Sequence, residues 1–268
     1  MTLIIAEIGI NHNGNLDTAL DMIGVAADCG ADAVKFQLFV PEKLEPHGPR
    51  REMLSGVMLD PSDMVVLKAE ADRNAVQFIC TPFDEGSLDY LVNVVGVDTL
   101  KIASGSIGDR GLLEAARRSK KDIILSTGMS GMQTVLAAKE ILGTPIILHC
   151  VSAYPTEVSD INLRAMAALR KTTECLVGLS DHTTSTLVPA FAVTLGAVAI
   201  EKHFTLDNTQ EGPDHHMSLE PGAFKEMVEN IGWAEAALGN GTKSVASCEE
   251  RTVKIKDARV AWRERNAV

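Results

Sequence analysis

Two histidines, His182 and His203, each follow a short apolar run, in LVGLSDH and AVAIEKH, with one helix-like stretch, Thr183 to Gly196, between them. On neighbouring parallel strands both imidazoles would emerge at the same edge of one sheet, where a metal ion can sit. A lone histidine at a strand end is more often a hydrogen-bonded core residue, so the metal reading rests on there being two. Imidazole ligands leave open positions on Mn²⁺, Zn²⁺ or Fe²⁺, and residue types do not rank these ions. His215 and His216, beside Asp214 in GPDHH, are further candidates, with a solvated loop as the alternative. Lys35 and Lys101 stand inside apolar runs, where an ammonium group is costly to bury without a counter-charge. Either they pair internally with Glu7 or Glu201, or they cradle a phosphate together with the hydroxyls of Ser104, Ser126 and Ser180. No Walker-type loop is present, so ATP is not expected as phosphate donor. Cys150 reads as an inert core thiol rather than a soft metal ligand.

The elements that must position these groups repeat a single unit, a short β-rich run followed by a longer amphipathic one. Strands are expected over residues 3–8, 33–37, 76–80, 99–103, 123–126, 146–150, 176–179 and 197–201. Helices are expected over 16–29, 61–73, 85–95, 111–119, 132–142, 163–171, 184–196 and 222–238. Strands alternating with helices imply a parallel sheet, and eight such units fit a (β/α)8 TIM barrel. A doubly wound open sheet is the runner-up, but GINHNG after the first run lacks the spacing of a dinucleotide-binding loop. The barrel is expected over residues 1–241 and a polar tail over 242–268. Chemistry in such a barrel sits at the C-terminal strand ends. All eight runs put polar residues there: Glu7; Lys35 and Gln37; Thr81; Lys101 and Ser104; Ser126 and Thr127; His149, Ser152 and Tyr154; Ser180, Asp181 and His182; Glu201 and His203. Two long insertions, 40–60 and 205–221, are expected as loops covering a ligand.

The chain of 268 residues is 46% hydrophobic, enough for one large core. Its net charge of −11 argues against a nucleic-acid partner. No apolar run is long enough to span a membrane, and Glu7 interrupts the N-terminus too early for a signal peptide. Five cysteines without a CxxC pair fit a reducing compartment, so a cytoplasmic protein is expected.

The stretches AEIGINHNG, ADAVKFQ, TPFD, LKIASG, ILSTGM, LHCVSAYPT, GLSDHT, EKHFTLD and GPDHHMSLEP span Ala6 to Pro221. In these the chain resembles the barrel domain of the sialic acid synthases and their legionaminic, pseudaminic and spore-coat relatives. The resemblance implies condensation of phosphoenolpyruvate with a sugar aldehyde to a 2-keto-3-deoxy acid, with release of phosphate. By motif it implies that His182 and His203 hold a divalent metal, usually Mn²⁺, with Mg²⁺ or Co²⁺ as alternatives. It places Lys35, Lys101, Ser104, Ser126, Tyr154 and Ser180 at the phosphoenolpyruvate pocket, Gln37 beside it, and Ser152 among the substrate-binding residues. Glu7 and Glu201 fall near the reacting carbons and Asp214 at the sugar hydroxyls.

Three departures from the family pattern bear on the sugar end. The chain is expected to lack the family's C-terminal antifreeze-like domain, Ser106 stands where a glutamate is usual, and Ser152 stands where an asparagine is frequent. A homodimer or a separate lid-supplying protein is the expected partner. Three rival readings stand beside this one. One is a 3-deoxy-octulosonate 8-phosphate-type synthase, which needs a second basic cluster; Arg50, Arg51 and Arg110 are the candidates, with solvated charge as the alternative. The others are a metal-dependent aldolase and a non-catalytic sugar-acid-binding relative.

Overall fold

The computed structural model describes residues 1–267. Eight parallel strands close into a barrel in sequence order: β1 (Leu3–Gly9), β2 (Ala33–Leu38), β3 (Gln77–Pro82), β4 (Thr99–Ile102), β5 (Asp122–Ser126), β6 (Ile146–Cys150), β7 (Val177–Asp181) and β8 (Ala199–His203). Closure pairs β1 with β8, setting Ile5 beside Glu201 and Glu7 beside His203. The (β/α)8 expectation is met.

Side-chain alternation divides each strand between two environments. Outward residues such as Ile4, Val34, Leu100, Leu125, Ile147 and Ile200 join the helices in the main core. Inward residues Ile5, Ala33, Ile79, Ile124, Leu148 and Ala199 form a separate apolar plug. At β7 the plug leaves no room for a side chain, because a Cβ on Gly178 would lie 2.3 Å from the Ala199 carbonyl oxygen. Two residues further along the strands the inward positions become Glu7, Lys35, Ser126, Cys150, Ser180 and Glu201. The apolar plug is thus the floor of a polar chamber.

The outer helices are α1 (Leu16–Asp28), α2 (Pro41–Leu44), α3 (Pro49–Val57), α4 (Asp63–Arg73), α5 (Glu85–Tyr90), α6 (Arg110–Ser119), α7 (Met132–Leu142), α8 (Ala165–Thr173), α9 (Val188–Thr194) and α10 (Pro221–Leu238). Side-chain caps start several of them. Asn15 accepts from the Thr18 amide, Asp84 from those of Gly86 and Ser87, and Asp109 from that of Leu112. Each such cap stabilises its helix by about 1 kcal/mol.

Two sequence expectations change. The insertion 40–60 is not a loop: it folds into α2 and α3, and Leu54 of α3 packs with Ile10 and Phe39. The helix expected over 184–196 starts only at Val188. Before it, hydroxyls take the backbone donors: Thr183 Oγ1 accepts from Ser185 N, and Ser185 Oγ accepts from Leu187 N and Val188 N. Serine and threonine compete for the backbone in this way and displace the helix start.

Residues 1–235 form one compact unit and residues 236–268 a second. The second contains α11 (Glu250–Arg265), whose Ile255, Val260 and Trp262 are exposed. No helix among the described residues is long and apolar enough to cross a membrane.

Candidate active site

Four buried charges occupy the chamber. Lys35 on β2 lies 2.6 Å from Glu7 Oε2 on the neighbouring β1 and 3.8 Å from Glu201 Oε2. Lys101 on β4 reaches across the barrel to β8, where both Glu201 oxygens lie 2.9 Å from its ammonium. Each of the four residues is at least 96% buried. Both lysines are therefore ion-paired within the barrel, the first of the two sequence alternatives. Hydroxyls and an amide extend the cluster. Ser180 donates to Glu201 Oε1 at 2.8 Å, Lys35 to Thr81 Oγ1 at 3.2 Å, and Gln37 to Glu7 Oε1 at 3.0 Å.

The two carboxylates are driven in opposite directions. Burial raises the pKa of Glu7, and the neighbouring charge of Glu201 raises it further against the pull of Lys35. Burial works on Glu201 too, but Lys101, Lys35 and the Ser180 hydroxyl outweigh it and hold that carboxyl well below the usual range. Lys101 is shifted down by burial, and Lys35 is shifted up because Glu201 and Glu7 together overcome burial.

The histidine pair lies above the charges. His182 and His203 face each other with ring centroids 5.4 Å apart, and the Tyr154 ring lies 4.3 Å from that of His182. His203 closes β8 rather than following it. His182 Nδ1 donates to the Val151 carbonyl at 2.7 Å, which fixes the proton there and leaves Nε2 with its lone pair. His203 Nδ1 is buried with no hydrogen-bond partner, 3.9 Å from Asp214 Oδ2. Burial above all pushes the His203 pKa well down, which favours the neutral ring. Burial raises the Asp214 carboxyl. Among the described residues no three His, Cys, Asp or Glu side chains converge as a metal cage, and the imidazole pair is the set that could hold an ion. The orphaned His203 nitrogen and the carbonyl-oriented His182 ring both fit that use.

The third edge of the chamber is a hydroxyl and thiol cluster. Ser104, in a short turn after β4, accepts from Gly128 N at 2.9 Å and lies 3.7 Å from Cys150 Sγ, which is 4.0 Å from Ser152 Oγ. A Cβ on Gly128 would fall 2.2 Å from Ser152 Oγ and 3.1 Å from Cys150 Sγ, so any side chain there would have to displace them. Ser126 is buried at the end of β5 with its hydroxyl unpaired.

Glu7, Lys35, Gln37, Lys101, Ser126, Ser180, Glu201 and His203 lie within strands, Lys35 and Glu201 in mid-strand, while Ser104, Ser152, Tyr154, His182 and Asp214 follow the C-terminal ends of strands. Other expectations change. His149 points outward and bonds the Ile161 carbonyl at 2.6 Å, because its neighbours Leu148 and Cys150 take the inward positions. Cys150 is buried and turns inward, its sulfur 3.9 Å from His182 Nδ1. Strict alternation along IILHC carries that signal. His215 holds the mouth loops together, bonded to Thr205 Oγ1 at 2.7 Å and to Asn13 Oδ1 at 3.3 Å. His216 bonds the Tyr154 carbonyl at the surface. Arg51 and Arg110 are tied to Glu42 and Glu114, and Arg50 is exposed 4.0 Å from Glu45, so solvated charge is the better description of all three. Asp181 and Lys202 form an ion pair on the outer face of the barrel that residue types alone did not reveal.

The architecture and the chamber are those of a (β/α)8 barrel with a charged, histidine-rimmed mouth. The chain belongs to the NeuB family, whose model matches residues 22–243. It is 41% identical over 271 residues to the uncharacterized protein MJ1065 of Methanocaldococcus jannaschii, covering 99% of this chain and 80% of that one. It is 39% identical to the N,N'-diacetyllegionaminic acid synthase of Legionella pneumophila, covering 92% of this chain and 76% of that one. The crystal structure of N-acetylneuraminic acid synthetase from Leptospira borgpetersenii superposes with a TM-score of 0.90 at 35% identity, covering 96% of this chain and 91% of that one.

Proposed function

We propose that the chain condenses phosphoenolpyruvate with an acetamido-sugar aldehyde to give a 2-keto-3-deoxy sugar acid and phosphate. The observation that carries this reading is the buried Lys35–Glu7–Glu201–Lys101 network beneath a histidine pair, in a member of a family with sialic and legionaminic acid synthases. Two ammonium groups and the hydroxyls of Ser104, Ser126 and Ser180 supply charge and short donors for the carboxylate and phosphate of phosphoenolpyruvate. His182 and His203 would hold a divalent ion, Mn²⁺ by preference. Bound there, the ion supplies Lewis acidity to the aldehyde oxygen.

The opposed pKa shifts divide the work of the carboxylates. As the C3 carbon of phosphoenolpyruvate bonds to the aldehyde carbon, positive charge develops at C2. Glu201, held ionised by its lysines, stabilises that charge. Water then adds at C2, one of its protons ending on the oxygen of the former aldehyde, and the C2–O bond to phosphate breaks as the ketone forms and the second proton leaves with the phosphate. Glu7, whose pKa burial raises, is the group suited to carry the proton lost by that water. The Asp214 carboxylate at the mouth holds sugar hydroxyls.

The test mixes the protein with Mn²⁺, phosphoenolpyruvate and a panel of aldoses that includes N-acetylmannosamine and phosphorylated sugars, and follows inorganic phosphate. Aldose-dependent, chelator-sensitive release is expected. Saturable turnover restricted to phosphorylated aldoses, or no release with any aldose, would overturn the reading.

A further inference from the structure

Both histidines of the mouth adjoin, in sequence, a member of the outer-face ion pair. Asp181 precedes His182 at the end of β7, and Lys202 precedes His203 on β8. Asp181 and Lys202 are cross-strand partners, and each is 1% exposed. Alternation turns them away from the chamber while their neighbours face into it.

Lys202 spends its ammonium on the chain that leaves His182. It bonds Asp181 Oδ2 at 2.6 Å, the Thr183 carbonyl, and the Ser185 carbonyl at 3.2 Å. Asp181 completes the knot by accepting from the Thr183 amide at 3.0 Å and the Thr183 hydroxyl at 3.1 Å. Residues 183–185 lie before α9 and have no helical ladder to hold them, so these side-chain bonds are what fix them. On its other side His182 is fastened to the β6 loop: its carbonyl accepts from Thr156 N at 2.9 Å and its Nδ1 donates to Val151 O. The imidazole is thus held between two anchors, and Lys202 also locks the strand that carries His203.

We propose that Lys202, acting with Asp181, is a positioning residue that fixes the orientation of the His182–His203 pair from the far side of the barrel wall. The inference rests on the metal-binding reading above for its functional consequence, and on the hydrogen-bond geometry alone for the orientation. Removing Lys202 frees the Thr183 and Ser185 carbonyls and leaves Asp181 as an unpaired buried carboxylate. The chain after His182 then relaxes, and the ring loses its single bonded state.

Lys202→Met in the full chain is the primary variant, and Asp181→Asn replaces it should the first not fold. Leu113→Ala, a buried position on α6, serves as a control for stability loss alone. Imidazole nitrogen NMR of the metal-free protein reads the His182 tautomer, and titration with Mn²⁺ reads affinity. We expect the variant to lose the Nδ1–H signature of His182 and to bind Mn²⁺ about 10–100-fold more weakly, the usual effect of removing a group that orients a ligand. The control is expected to keep both. An unchanged His182 signal in folded Lys202→Met, or an equal change in the control, would overturn the proposal. Failure of the wild type to bind Mn²⁺ would instead sink the metal reading, while the tautomer comparison still decides the positioning role.

Discussion

Replacing Glu201 by glutamine tests the charge network directly. The native cluster balances two ammonium groups, Lys35 and Lys101, against two carboxylates, Glu7 and Glu201. Glutamine keeps the shape and the possibility of a bond to Ser180, but leaves Lys101 without its counter-charge at a site 3% exposed. Removing one partner of a buried pair costs about 3–5 kcal/mol, because the other charge stays buried and uncompensated. For a domain of this size that corresponds to a fall in Tm of about 6–20 °C. The sign of the pH dependence follows from the same charge. Burial already depresses the Lys101 pKa, and losing Glu201 removes the main influence that opposes this. A depressed lysine binds its proton less in the folded chain than in the unfolded one, so stability rises as pH climbs through the folded pKa. Urea denaturation at pH 7 and pH 10 should therefore show Glu201→Gln recovering part of its deficit relative to wild type at the higher pH. Adding Lys101→Met to Glu201→Gln should restore stability over the single variant. A loss below about 1 kcal/mol with no relative recovery would refute the picture of an obligatory buried pair.

Other perturbations address the floor, the walls and the mouth. Gly128→Ala drives a methyl into Ser152, Ser104 and Cys150, so KM for phosphoenolpyruvate should rise by about 10–100-fold while the protein remains folded; unchanged kinetics would show that the cluster lies outside the pocket. Leu148→Ala empties part of the apolar plug and should cost about 2–5 kcal/mol in denaturant titration. Burial pushes the pKa of His12 down to about 4 from an ordinary 6.5, so the unfolded chain takes up that proton first. Stability should fall by about 3 kcal/mol as pH drops from 6.5 to 4, and His12→Gln should remove that part of the slope.

Much of this site was legible because a barrel strand leaves few places for charge. Lys35, Lys101 and Glu201 interrupt apolar runs, and a charge there must face either a partner or a ligand. What residue types could not show was which face each residue takes. His149 looked like a site residue and Cys150 like core, yet a one-position difference in register turns His149 outward and Cys150 inward. Lys202 escaped for the same reason: it lies between two inward-facing residues and gives no sign that its own side chain finds Asp181 outside. The late start of α9 was hidden because Thr183 and Ser185 satisfy backbone groups with their side chains, a choice that depends on the lysine beneath them. The helices of the 40–60 insertion were masked by a largely polar composition; only Leu54 of α3 is fully buried.

The opposed pKa shifts of Glu7 and Glu201 come from position around the barrel rather than from residue type. β4 and β8 lie on opposite sides of the closed sheet, so Lys101 must cross the interior to find a partner and meets Glu201 there. Lys35 sits beside Glu7 in register and also approaches Glu201. Glu201 therefore collects two cations and a hydroxyl. Glu7 shares one cation and feels the repulsion of Glu201. Two identical side chains acquire opposite tendencies, one with its proton affinity lowered and one with it raised. A reaction that needs a fixed anion beside a developing cation and a separate acceptor for a water proton finds both within one network. Its polarity is set by which strands face each other across the floor.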